Sequence, residues 1–122
     1  MAYDPDNTVE IDTAIPKDHI LDAVVISIEE GTYKEKVNSP EKWPAEILNE
    51  NCIKVVYEYD VKGAKVKGDK LFRFRYTDDG KVSYTAFSDM GKYAAKYGGA
   101  PKVGQIIKVE ANEKGYPDIR LK

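Results

Sequence analysis

A chain of 122 residues with 33% charged and 42% hydrophobic side chains has the make-up of one globular domain, a balance that speaks against disordered and membrane classes. A single cysteine, Cys52, leaves no partner for an internal disulfide, and a single histidine, His19, excludes multi-histidine metal sites and paired-histidine chemistry. The net charge of −2 is uneven: residues 1–31 hold eight acids against Lys17 alone (−7), and the other 91 residues hold 18 bases and 13 acids (+5).

Residues 1–17 read as an acidic, weakly ordered arm before a domain over 18–122. Asp4-Pro5-Asp6-Asn7 is turn chemistry, and Ala14-Ile15-Pro16 is biased towards extended backbone by its proline. The start of the chain has no apolar leader, and no apolar run nears the roughly 18 residues of a membrane span. A cytoplasmic protein without a membrane partner is the expectation, the lone cysteine suiting a reducing compartment.

Ile20 to Ile28 is a β-branched run too continuous for a strand with one wet face. It suits a strand buried on both sides, or a curved strand shared by two halves of a barrel. Glu30-Gly31-Thr32 marks a turn or bulge. Residues 34–51 form an elaborated loop, with a short helical turn expected around Pro40 to Leu48, Ser39 as its cap and Pro40 at its first position, and Pro44 disfavouring a long helix. A period of two then returns in Ile53, Val55, Tyr57, Tyr59 and Val61, and again in Phe72, Phe74 and Tyr76. The lysine-rich stretch around Gly63 and Gly68 reads as the hairpin tip between these strands. Val82-Ser83-Tyr84 adds a short strand at most.

Ser88 is the expected N-cap of a helix carrying Met90, Tyr93, Ala94 and Tyr97 on one apolar stripe, and Gly98-Gly99 ends it. Gln105 to Ala111, a turn at Asn112-Glu113-Lys114-Gly115, and Tyr116 to Lys122 complete the chain as a β-hairpin.

The order predicts a mostly β protein: a five-stranded OB-fold, a Greek-key barrel with one α-helix between strands 3 and 4. An SH3-like barrel is the competitor, but it would not place a helix of this length there. With that order, Ile20-x-x-Ala23-x-Val25, Glu30-Gly31-Thr32, the basic and aromatic hairpin, Phe87-x-x-Met90-x-x-Tyr93 and Val103-Gly104-Gln105-x-x-x-Val109 carry a resemblance. Over residues 19–122 the chain resembles the small OB-fold single-stranded DNA-binding proteins of phages, archaeal viruses and prokaryotic replication systems. It departs from the bacterial members in ending on Ile119-Arg120-Leu121-Lys122 rather than an acidic tail, so recruitment through the C-terminus is not implied.

Catalytic signals are thin. There is no phosphate-binding glycine loop and no nucleophile elbow. Asp4, Asp6, Glu10 and Asp12 lack the glycine and bidentate glutamate spacing of a calcium loop. His19 beside Asp18 and the turn acids Asp78 and Asp79 read as surface residues, and Cys52 as strand packing. No cofactor, metal or enzymatic activity is expected.

Binding is the stronger reading, since a sequence-tolerant single-strand binder needs cations along phosphates and rings for bases. If Ile53 and Val55 face the core, so do Tyr57, Tyr59, Phe72 and Phe74, leaving Lys54, Arg73 and Arg75 outside. Cross-strand pairing with Glu58 and Asp60 is the structural alternative for those arginines. Phosphates are expected along Lys54, Arg73, Arg75 and the tip lysines Lys62, Lys65 and Lys67. Trp43 with Tyr33 or Tyr76 would stack bases beside Lys34, or Trp43 would merely lid the barrel mouth. Single-stranded DNA leads RNA as ligand. The alternatives are a protein-interaction module docking a replication or viral assembly partner, an oligosaccharide binder, and a homodimer formed through an edge strand.

Overall fold

The computed structural model describes residues 2–122. Strands β1 (Ile20–Thr32), β2 (Asn51–Val61), β3 (Ala64–Tyr76), β4 (Val82–Ser83), β5 (Ile106–Ala111) and β6 (Pro117–Ile119) form one antiparallel sheet in the order β4-β3-β2-β1-β5-β6. The sheet curls into a half-barrel. It has six strands rather than five because Val82 and Ser83 pair with Tyr76 and Arg75. Short helices α1 (Tyr33–Lys36) and α2 (Ala45–Leu48) lie in the β1–β2 connection, and α3 (Asp89–Tyr97) precedes β5.

The long apolar run of β1 has a specific cause. Its first part pairs with β5 (Ile20↔Glu110 to Val24↔Ile106) and the rest with β2 (Val24↔Glu58 to Thr32↔Asn51). The register slips between Val25 and Ser27, so Ile26 is an extra residue, a β-bulge. Leu21, Ala23 and Val25 face the core before it and Ile28 after it, so the inward phase changes from odd to even. A turn or bulge is expected at Glu30-Gly31-Thr32; β1 continues to Thr32, which caps α1, and the bulge lies earlier, at Ile26.

In β2 and β3 the alternation follows the expected phase. Val55, Tyr57, Tyr59, Val61, Phe72 and Phe74 are buried, and Arg73 and Arg75 stand outside. The hairpin tip is Lys62-Gly63 alone, both residues at positive φ. Gly68, read from sequence as part of the tip, lies inside β3 opposite Tyr57. A Cβ there would stand 2.6 Å from that ring, so the glycine admits an aromatic side chain across the ladder. Burial pushes the Tyr57 hydroxyl well above the usual tyrosine range, and it finds no hydrogen-bond partner among the described residues.

The helix α3 is built as its sequence dictates. The Ser88 hydroxyl accepts from Gly91 N at 3.1 Å, and Gly98 ends the helix in the left-handed conformation. Met90 and Tyr93 are buried, with Tyr97 packed against the core. Gln105 ties the helix end to β5: its amide donates to Tyr97 O at 3.1 Å and its carbonyl accepts from the Tyr93 hydroxyl. The last strand is shorter than expected, Pro117–Ile119 only, and the Tyr97 hydroxyl donates to Arg120 O at 2.6 Å just beyond it.

Ile15, within the stretch expected to be a free arm, is 5% exposed and belongs to the core cluster. Outside it, Tyr3 and Val9 are exposed. Deleting residues 2–12 is therefore expected to leave urea unfolding unchanged. Ile15→Ala should lower stability by about 2–5 kcal/mol, the usual range for emptying a buried isoleucine site.

Candidate functional site

A groove of about 930 Å³ runs along the outer face of β3. One wall is the β1–β2 connection, with Tyr33, Trp43 and Glu50; the floor is Leu71, Arg73 and Arg75; the other wall is the β4–α3 connection, with Tyr84 and Phe87.

Local chemistry fixes each wall. Thr32 and Glu35 form a capping box around the first turn of α1: Glu35 N donates to the Thr32 hydroxyl at 3.4 Å, and Thr32 N to the Glu35 carboxylate at 3.2 Å. The Thr32 hydroxyl also donates to Glu35 Oε1 at 2.9 Å, and this bond first, with that from Thr32 N, holds the Glu35 carboxyl below its usual pKa. Pro40 opens a 3-10 turn over Pro40–Lys42, and Pro44 begins a separate turn, α2, so the expected single helical turn is two. Trp43 is left between them, 43% exposed, its ring edge-on to Tyr33 with centroids 5.2 Å apart. It lines the groove with Tyr33.

The floor follows from strand phase. Arg73 lies opposite Cys52 and Arg75 opposite Ser83, both on the outer face. The Arg73 guanidinium sits 5.7 Å from the Tyr33 ring centroid and donates to Glu50 Oε2 at 3.2 Å; Arg75 Nη2 lies 3.8 Å from Glu50 Oε1. Glu50 is thus the acid that pairs both arginines. Glu58 and Asp60, expected in that role, lie 3.7 and 3.5 Å from Lys65 instead. Cys52 is fully buried on this face beside α1, and burial raises its thiol pKa, which disfavours the reactive thiolate.

Four of the ten candidate residues therefore meet in one groove: Tyr33, Trp43, Arg73 and Arg75. The other six lie elsewhere. Lys34 is exposed on α1 outside the groove lining. Lys54 is half-buried, 3.9 Å from Asp69. Lys62 is exposed at the hairpin tip and Lys65 and Lys67 are exposed at the start of β3, and Lys65 to Arg73 is about 26 Å of strand at about 3.3 Å per residue. Tyr76 sits on the core side of β3, edge-on to Phe74, and its hydroxyl donates to Glu30.

Sequence reasoning missed Tyr84, Phe87 and Glu50. For Phe87 a signal exists. The residue before an N-cap often packs on the fifth residue after it, but here that position is Lys92, which offers no apolar partner. Phe87 is left 89% exposed.

Formal charge in the groove balances, with Arg73 and Arg75 against Glu50 and Asp89. Asp89 is 3.9 Å from Lys70, which also binds Asp118 at 3.0 Å. Among the described residues no group of three or more histidine, cysteine or acidic side chains is placed to hold a metal ion, and no helix is long and apolar enough to cross a membrane. Compared with protein-family models, curated proteins and solved structures, the chain matches none.

Proposed function

We propose that this chain is a non-enzymatic OB-fold protein that binds single-stranded nucleic acid, DNA ahead of RNA, with little sequence preference. One observation carries the reading: two arginines and four partly or fully exposed rings, from three separate segments, line one groove. Its position supports the assignment, because OB-folds bind oligonucleotides on the face of strands 2 and 3 and on the loop joining strands 1 and 2. Rings outnumber free charges here, so stacking on Trp43, Tyr33, Tyr84 and Phe87 supplies most of the affinity and explains tolerance of sequence. Arg73 and Arg75 hold the phosphates.

The test uses Trp43, the sole tryptophan. Titrating a thymine oligonucleotide should quench its fluorescence, and a duplex should not. Two phosphate contacts predict a slope of log affinity against log salt near −1.4, from about 0.7 per contact. A slope of about −3 or steeper would bring the Lys62 to Lys67 lysines into the interface. Absence of binding at low salt with about 50 µM protein, the weak end of non-specific association, would end the nucleic-acid reading. The balanced charge of the groove favours oligosaccharide as the second reading; quenching by oligosaccharides alone, indifferent to salt, would establish it.

A further inference from the structure

We infer that Glu50 is an internal stand-in for a ligand phosphate, an autoinhibitory carboxylate that a single strand must displace from Arg73 and Arg75. The inference rests on the nucleic-acid reading of the groove and adds its regulation. Glu50 offers one carboxylate oxygen to each guanidinium, Oε2 to Arg73 at 3.2 Å and Oε1 to Arg75 at 3.8 Å. A phosphodiester, with two unesterified oxygens and one negative charge, matches that bridging role. The carboxylate is held in place from its backbone, since Tyr33 N donates to Glu50 O at 2.9 Å. The same bond joins the stacking wall to the acid that guards the floor.

Arg73 and Arg75 are two residues apart on one face of β3, so their like charges repel in an empty groove. Glu50 offsets that repulsion and keeps both guanidinia aligned. An incoming strand gains two arginine contacts only by releasing Glu50 into water. Stacking must therefore be in place before the exchange is favourable, which selects ligands carrying both a ring and an anion. Free phosphate brings no ring, and a neutral oligosaccharide no anion.

Glu50→Gln removes the charge and keeps the backbone bond to Tyr33. The expected result is about a three- to tenfold tighter affinity for a thymine oligonucleotide at low salt, the scale of one or two exposed ion pairs removed from competition. The salt slope should steepen by up to about 0.7 for each phosphate contact strengthened. Glu58→Gln is the control, because its carboxylate pairs with Lys65 outside the groove and its loss changes net charge equally. An affinity gain in E50Q with E58Q within about twofold of wild type supports the inference. Equal gains in both variants overturn it in favour of net charge. A wild type that binds beside an E50Q that binds no better overturns the inference and leaves the function standing. If neither wild type nor E50Q binds, both fall. Glu50→Ala should move affinity in the same direction, and thermal melts of both variants separate a displaced guard from a loosened wall.

Discussion

Gly91→Ala is expected to destabilise the protein by about 3 kcal/mol, although the same change in an exposed helix stabilises by up to about 1 kcal/mol. The reversal comes from what faces the helix. A Cβ at Gly91 would overlap the Thr85 carbonyl oxygen and stand 2.9 Å from Ala86 Cα, both of them backbone atoms. No rotamer relieves that contact. The helix must lift from the 85–86 segment, withdrawing Met90 and Tyr93, which are 2% and 0% exposed. It would also loosen the cap, because Gly91 N is the group that Ser88 binds. Overpacking of this kind costs about 1–3 kcal/mol where side chains can adjust, and here they cannot. Urea unfolding with an unchanged m-value and a lowered midpoint would verify it. A midpoint at or above that of the wild type would mean that α3 does not pack as described.

Trp43→Ala together with Phe87→Ala should weaken binding of a single-stranded oligonucleotide about 100-fold and leave the fold intact. Stacking is worth about 1–3 kcal/mol per base, or about 5- to 150-fold for each lost platform, and about tenfold for each gives the expected 100-fold. The two rings belong to opposite walls of the groove. Phe87 is almost wholly exposed, so its removal should change stability by no more than about 0.5 kcal/mol. Tyr116, 66% exposed on the β5–β6 turn and outside the groove, provides the control: Tyr116→Ala should bind as wild type does. Fluorescence anisotropy of a labelled oligonucleotide reads the double variant, which lacks the tryptophan signal. Wild-type affinity in that variant would remove the stacking groove from the function.

What could be read from the sequence was governed by local periodicity. The β2 and β3 phases, the Ser88 cap and the Gly98 stop were legible because each signal lies within a few residues of its effect. The bulge at Ile26 was hidden, since a run of apolar residues on both faces carries no visible phase. Gly68 was misread because glycine most often signals a turn, and only the partner strand reveals the Tyr57 ring that requires it. Glu50 was missed for a related reason: it lies 23 positions before Arg73, and nothing in the chain order favours it over Glu58 or Asp60. Arg73 and Arg75 were found from alternation alone. Their association with Trp43, Tyr84 and Phe87 depends on how two separate connections cross the sheet.

The extra residue at Ile26 has a consequence for length rather than for packing. Away from the bulge, removing one residue from β1 would send the side chains on one side of the cut to the opposite face, putting groups such as Asp22 against the core. At the bulge, losing either Ile26 or Ser27 leaves every flanking side chain on the face it now occupies, because Val25 and Ile28 both point inward with two residues between them. The loss would be one of shape. A regular strand has no local bend to turn it from β5 towards β2, so the sheet would flatten while its inside and outside stayed correct. Curvature and sidedness are therefore encoded separately in this strand, the first in a single inserted residue and the second in the pattern around it.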